Sequence, residues 1–378
     1  MTDVAKATEL MCLEEKWLEP FDVIDPFSAF RLEGYLSLKP DYRYGALALL
    51  KVNEHEVPQR IIATPKLHYP FGRTGEFHFP PVKQIDIYEK LDGTNVLAYE
   101  FKDIEGNHHV TYKLRLYPIL RNGKWGNFLD MWKEIIERYP IIPELPGLNK
   151  CSVSFELYGS RNLHLMVYDV PLACALLFGV DGNGRCRPPG ELVCRGVPVP
   201  GLYGQLKAGE DPVGAYRQIR ETLQTEIQPQ EDEKLKGAEG TVWYVTTSKG
   251  DRVLFKCKPE SVEAIHWKGG ISKEAVVATC WNLLETKDLL DYESLERLLL
   301  EEYTQEEIDK FRKHIGDCMV GVTEQLAFRI RVLDAYEKVG VKLSENKALV
   351  MRDLSTQFPK KEMKKVFTII MRCGESRG

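Results

Sequence analysis

Six charged side chains sit inside runs that are otherwise apolar, β-branched or aromatic. Lys90 lies in IYEKLDGTNVLAYEF, two residues before Asp92-Gly93. Glu156 stands between Phe155 and Leu157 in SFELYG, and Glu239 opens EGTVWY. Lys256 and Lys258 alternate in VLFKCK, so the period-two rule turns both to one face of a strand. A lysine that sheds its proton is a nucleophile, and other lysines can hold phosphates. Carboxylates are hard oxygen ligands that suit Mg2+ or Mn2+. Each residue also has a plainer reading. Lys90 can be a solvated strand end before an Asp-Gly turn, Glu239 a surface strand start, and the two lysines a protected sheet edge. Taken together they are harder to dismiss. Burying such charges unpaired is costly, and a stable β-domain has no need of them. A polyphosphate and a divalent metal would satisfy all six.

The elements that must position them are short strands. QIDIYEKL, TNVLAYEF, HHVTYKLRLYPIL, KCSVSFELYG, HLMVYDV, ACALLFGVD, GTVWYVTT and RVLFKCK are separated by Gly, Asn, Asp and Pro, and define a strand-rich domain over residues 81–268. NFLDMWKEIIERY and AYRQIRETLQTEI are its helices, the first with apolar residues at helical spacing. Residues 1–80 form a mixed N-terminal module that opens on a short helix, KATELMCLEEKWL, and carries a strand-like RYGALALLKVN. Residues 272–378 read as an all-helical C-terminal domain with SLERLLLEEY, TQEEIDKFRKHI, FRIRVLDAYEKVG and ENKALVMRDLSTQF as separate helices. There Thr304 and Glu307 have capping-box spacing.

In this order EKLDGTN, FELYG, LLFGVD, EGTVWY and FKCK resemble the motif series of the covalent nucleotidyltransferases, the polynucleotide ligases and mRNA capping enzymes. EKLDGTN looks most like the RNA ligases of the phage and archaeal homodimeric types. The resemblance spans about residues 85–260. It implies an α+β fold, an ATP-grasp-like nucleotidyltransferase domain of two antiparallel sheets followed by a helical domain. It implies that Lys90 attacks the α-phosphorus of ATP and forms a lysyl-AMP intermediate. Lys256 and Lys258 would contact the α-phosphate and, with a bound metal, favour the neutral amine. Glu156 and Glu239 would serve the ribose and a Mg2+ or Mn2+ ion. Phe178 would stack on adenine, and the main-chain carbonyl of Glu89 would meet its amino group. Asp92 would orient Lys90 or a metal-bound water. Asn95, otherwise a turn asparagine, would serve the later attack of a 3′-OH on an adenylated 5′-phosphate. A ribose-contacting arginine is either Arg115, preferred for its spacing from Lys90, or Arg121.

The implied partner is RNA with 5′-phosphate and 3′-OH ends. DNA ligases and capping enzymes are the near alternatives, and a silent RNA-binding protein a remote one. Near alternatives normally carry an oligonucleotide-binding barrel after the FKCK-type strand, where this sequence reads as helices. A net charge of −5 requires any basic surface to be local. Lys66, His68, Arg73, Lys83, Arg121, Lys124, Trp125 and Lys133 are candidates for it. The nine cysteines are scattered and never form C-x-x-C, which argues against disulfides or a zinc finger and for an intracellular, cytoplasmic setting, with nucleus or organelle open. No signal peptide or membrane span is expected. A homodimer through the C-terminal region is one option.

Overall fold

The computed structural model describes residues 2–72, 75–123, 126–162, 164–230, 235–259, 271 and 273–373. Thr2 caps the first helix by accepting from the Ala5 N–H at 3.3 Å. That helix, α1 (Asp3–Met11), buries Ala7 and Met11 against an antiparallel meander. The meander runs in chain order through β1 (Leu18–Ile24), β2 (Arg31–Ser37), β3 (Leu47–Val52) and β4 (His55–Ile61). The N-terminal module is thus a sheet with one covering helix.

Three strands follow, β5 (Val82–Lys90), β6 (Thr94–Lys102) and β7 (His108–Leu114), then helices α2 (Phe128–Arg138) and α3 (Leu145–Asn149). Next come β8 (Ser152–Tyr158), β9 (Ala173–Val180), β10 (Cys186–Arg187) and β11 (Leu202–Lys207), with α4 (Pro212–Glu226) behind them. The short pair β12 (Gln228–Pro229) and β13 (Leu235–Lys236) precedes β14 (Gly240–Thr247) and β15 (Arg252–Cys257). These strands make two antiparallel sheets, in the orders β10-β9-β8-β6-β7 and β11-β5-β14-β15. HLMVYDV, expected as a strand, is an irregular strap with a single bridge from Met166 to Leu235.

Strand β6 shows how the layers stack. Leu97, Tyr99 and Phe101 join the core shared with the N-terminal sheet. Val96 and Ala98 point the other way, into a core with Trp132 and Ile135 of α2. Its apolar run is unbroken because both faces are buried. In the other sheet Ile85, Ile87, Trp243 and Val245 pack on Tyr216 and Leu223 of α4. The opposite face is left for the cleft.

After β15 every described element is helical: α5 (Lys273–Thr286), α6 (Tyr292–Leu299), α7 (Gln305–Val339), α8 (Lys347–Leu354) and α9 (Met363–Cys373), with one short 3-10 turn. TQEEIDKFRKHI and FRIRVLDAYEKVG, expected as two helices, are one helix of 35 residues. Nothing in the intervening GDCMVGVTEQLA breaks it, because Gly316 and Gly321 weaken a helix without stopping it. The Thr304–Glu307 capping box starts this helix, and Gly340 in the left-handed region ends it.

Candidate active site

Register sets the first row of the site. Pairing of β14 with β5 places Gly240 opposite Lys90, so Glu239 arrives beside the lysine. Pairing of β14 with β15 places Thr241 opposite Cys257, which brings Lys258 up on the other side. Lys90 Nζ donates to Glu239 Oε2 at 2.5 Å, and Lys258 Nζ meets Glu239 Oε1 at 2.7 Å. Burial pushes the Glu239 carboxyl up, but Lys258 and Lys90 outweigh it and hold the group at about 2. Burial likewise works against the Lys258 ammonium, and Glu239 more than compensates. Gly240 is required by space, since a Cβ there would stand 2.2 Å from the Cys257 carbonyl oxygen.

Lys90 is the last residue of β5, and Thr94 begins β6 in the other sheet. Leu91-Asp92-Gly93 is therefore a crossover between sheets, and no hairpin joins the two strands. Gly93 serves a close approach: its missing Cβ would lie 2.2 Å from the Leu157 carbonyl oxygen. Asp92 ties the crossover to the irregular strap. Its Oδ2 accepts from the Met166 N–H at 2.7 Å, and its own N–H donates to the Tyr168 hydroxyl at 2.7 Å.

The second sheet supplies the facing wall. Asn95 lies opposite Glu156 across the β6–β8 pair, and Phe178 opposite Ser154 across β8–β9. The Asn95 amide donates to Ser154 Oγ at 2.9 Å and to the Phe155 carbonyl at 3.1 Å. Its oxygen accepts from Thr64 at 2.7 Å. Both of its N–H bonds are thus spent inside the protein. Glu156 is 8% exposed, and burial pushes its carboxyl up to about 7, with Lys90 pulling the other way. Glu89, half-buried, has its carboxyl raised by burial while its N–H is bound to the Gly201 carbonyl.

Arg115 stands one residue beyond β7, its guanidinium 5.9 Å from the Tyr44 ring centre. Its buried Nε–H has no partner among the described residues. The fully buried Lys113 holds the turn beneath it by donating to the carbonyls of Leu114 at 2.7 Å and Arg115 at 2.9 Å. Arg121 is engaged elsewhere, with Asp288 at 3.3 Å and over the Tyr117 ring. Of the two arginines, Arg115 lines the cleft and Arg121 is not among its lining residues.

The helical segment reaches into the same space. Glu285 of α5 accepts from Thr94 Oγ1 at 2.8 Å and lies 3.6 Å from His164, and burial pushes its carboxyl up to about 8. Glu302 meets Lys256 at 3.2 Å, and Glu301 takes hydrogen bonds from Lys66 and from Tyr44. Burial lowers Lys256 to about 8, with Lys258 and Lys66 adding to the effect and Glu302 opposing it.

All ten residues singled out in the sequence (Glu89, Lys90, Asp92, Asn95, Arg115, Glu156, Phe178, Glu239, Lys256 and Lys258) line one cleft of about 300 Å3. Lys66 lines it too, whereas Lys83 and Lys133 are exposed on outer faces. The His68 carbonyl accepts from the Lys256 N–H, and burial lowers its imidazole. Arg73, Lys124 and Trp125 lie outside the described residues. Sequence reasoning missed Thr64, Tyr44, His164, Tyr168, Glu285, Glu301 and Glu302, none of which falls in a motif-like run.

No three His, Cys, Asp or Glu side chains converge on a metal position among the described residues. Mg2+ and Mn2+ commonly use only one or two carboxylates, with phosphates and water completing the shell. Glu156 and Glu239 fit that partial role, and a divalent ion would keep Glu156 ionised despite its burial.

No family model matches the sequence, and no curated protein matches it. Among solved structures the chain is similar to an archaeal ATP-dependent RNA ligase with a TM-score of 0.45 and 14% identity, over 89% of this chain and 83% of that one. A putative ATP-dependent DNA ligase from Aquifex aeolicus gives 0.38 and 14%, over 92% and 87%. A Naegleria gruberi RNA ligase variant, with ATP and Mn, gives 0.35 and 16%, over 49% and 52%. These are likenesses in the general course of the chain. No described helix is long and apolar enough to cross a membrane.

Proposed function

We propose that this protein is an ATP-dependent RNA ligase that works through a lysyl-AMP intermediate on Lys90. The observation that carries the reading is the row Lys90–Glu239–Lys258, facing Glu156 and Phe178 across one cleft. A lysine held at a strand end, with two more lysines at the end of β15 two strands away in the same sheet, is suited to attack at a phosphate.

In the first step Lys90 Nζ forms a bond to the α-phosphorus of ATP. The bond from that phosphorus to the bridging oxygen breaks, and pyrophosphate leaves with the electron pair. The lysine gives up one proton before attack and another as the phosphoramidate forms. Lys256 and Lys258 hold the negative charge that builds on the α-phosphate oxygens. Glu239 is well placed to receive Lys90 before attack and to hand it over as the phosphate arrives. Phe178 offers a flat apolar face to the base, and Arg115 a guanidinium with an unmet donor. A divalent metal at Glu156 and Glu239 would neutralise phosphate charge. The AMP then passes to an RNA 5′-phosphate, and a 3′-OH displaces it to join the strand. The helical character after β15 favours an RNA ligase over the barrel-bearing DNA ligases and capping enzymes.

The test is sealing. A duplex with a single RNA nick bearing 5′-phosphate and 3′-OH, given ATP and Mg2+ or Mn2+, should be joined, and an all-DNA nick joined far more slowly. Equal sealing of both would replace RNA with polynucleotides in general. Guanylate transfer to a diphosphate RNA end, without sealing, would favour a capping enzyme.

A further inference from the structure

Three cations and a buried phenol converge in one part of the cleft. Lys66 lies between β4 and β5, Lys256 on β15, and Arg115 after β7. Tyr44, only 4% exposed, sits among them, with Lys66 Nζ and the Arg115 guanidinium each 5.9 Å from its ring centre. Such a group of positive charges is costly to bury without an anion. The chain supplies two carboxylates. Glu301 accepts from Lys66 and, at 2.8 Å, from the Tyr44 hydroxyl, and Glu302 meets Lys256 at 3.2 Å. Both glutamates come from the short turn between α6 and α7, which lines the cleft alongside α5. Two oxygens bridging a lysine and a phenol, beside a third oxygen on a second lysine, resemble the contacts a phosphate group makes. Arg115 still has a buried Nε–H to offer.

We propose that Lys66, Tyr44 and Arg115 form an anion subsite for the pyrophosphate portion of a nucleoside triphosphate, next to Lys256 at the α-phosphate, and that Glu301 and Glu302 fill these positions as a displaceable plug. The identity of the occupant rests on the ligase reading above; the subsite itself does not. Lys256 cannot hold Glu302 and an α-phosphate with the same hydrogen-bond donors, so binding of the nucleotide and seating of the 300–303 turn oppose each other. The plug is easier to lift at Glu302, whose side chain is 34% exposed, than at Glu301, at 15%. The N-terminal module then gains a role, since Tyr44 and Lys66 both belong to it.

Titration of the full chain with inorganic pyrophosphate in metal-free buffer, followed by calorimetry, tests this. Glu301→Gln with Glu302→Gln removes the competing charge and keeps the shape. That double variant should bind pyrophosphate at least about tenfold more tightly than the parent protein. Adding Lys66→Ala, or Tyr44→Phe, to the double variant should return affinity to the parent level or below. Glu302→Gln alone, at the more exposed position, should give a smaller gain and keeps the test open if the double variant melts early. Unchanged or weaker binding in the glutamine variants overturns the plug. A gain that survives Lys66→Ala overturns the subsite. A gain seen only with a 5′-phosphorylated oligoribonucleotide, not with pyrophosphate, overturns the assigned occupant. The ligase reading fails separately, through absence of AMP on the protein: label without the pyrophosphate pattern sinks the plug alone, and the pattern without label leaves the subsite standing.

Discussion

At the scale of single residues, the two motif glutamates have opposite electrostatic fates. Glu239 lies between two lysines, and its carboxyl is held at about 2. Its contribution to stability is full above the ordinary carboxyl value of 4.5 and is lost as pH falls through about 2. Glu156 is buried with its carboxyl raised to about 7. For a raised group the sign reverses: the contribution is full below 4.5 and is lost as pH rises through about 7. Glu156→Gln should therefore be more stable than the parent protein at pH 8.5, by on the order of 2–3 kcal/mol. The gap should close below about pH 4.5. Urea unfolding in metal-free buffer at the two pH values measures it, and an equal difference at both would contradict the assignment. These residues were legible in the sequence because each breaks an apolar strand pattern locally. Asn95 was legible as a position but not as a bonded group. Its partners Thr64 and Ser154 come from distant segments, and nothing in LDGTN announces them.

At the scale of elements, the informative departures are the crossover and the strap. Asp-Gly after an apolar strand reads as a hairpin turn, yet β5 and β6 belong to different sheets. The competing requirement was the 2.2 Å approach of Gly93 to the Leu157 carbonyl oxygen, a long-range contact without a local signature. HLMVYDV has strand composition but divides its polar groups between Asp92 and a single bridge to Leu235 in place of a ladder. Tyr168→Phe removes one hydrogen bond from that strap, worth about 1 kcal/mol. It should leave the fold intact and slow enzyme adenylation by about tenfold, because Asp92 and Lys90 share the crossover. Single-turnover labelling with ATP alongside a melting curve checks both parts. A lower melting point with an unchanged adenylation rate would show that the strap serves stability alone. Glu285, Glu301 and Glu302 were illegible for another reason: acidic residues on amphipathic helices and in the turns between them ordinarily face water, and only the packing of the helical segment on the sheets shows that these do not.

At the scale of the whole molecule, the N-terminal sheet and the central sheets share one core. Leu49 and Ile62 belong to the same buried cluster as Leu97, Tyr99 and Phe178. Val332, Tyr336, Val350 and Ile370, near the C-terminal end, form a core of their own. Leu49→Ala should cost about 2–5 kcal/mol. The loss should appear in the unfolding of Trp132 and Trp243, both fully buried in the central sheets' other cores. Fluorescence in urea of a variant keeping only Trp132 and Trp243 reads this, and an unmoved midpoint would mean that the N-terminal sheet unfolds independently. The strand-then-helix order of the chain was readable from composition and periodicity. That residues 1–80 line the cleft was not, since Tyr44, Thr64 and Lys66 reach it only through the packing of one sheet on another.

The central claim is that Lys90 becomes covalently joined to AMP. The most direct measurement is mass mapping of proteolytic fragments after incubation with ATP and Mg2+ or Mn2+. The account predicts one adenylylated fragment, carrying the group on Lys90, which disappears in Lys90→Ala and is strongly reduced in Glu239→Ala. Adenylylation at another lysine, or none with any nucleotide while the protein remains folded, would contradict it.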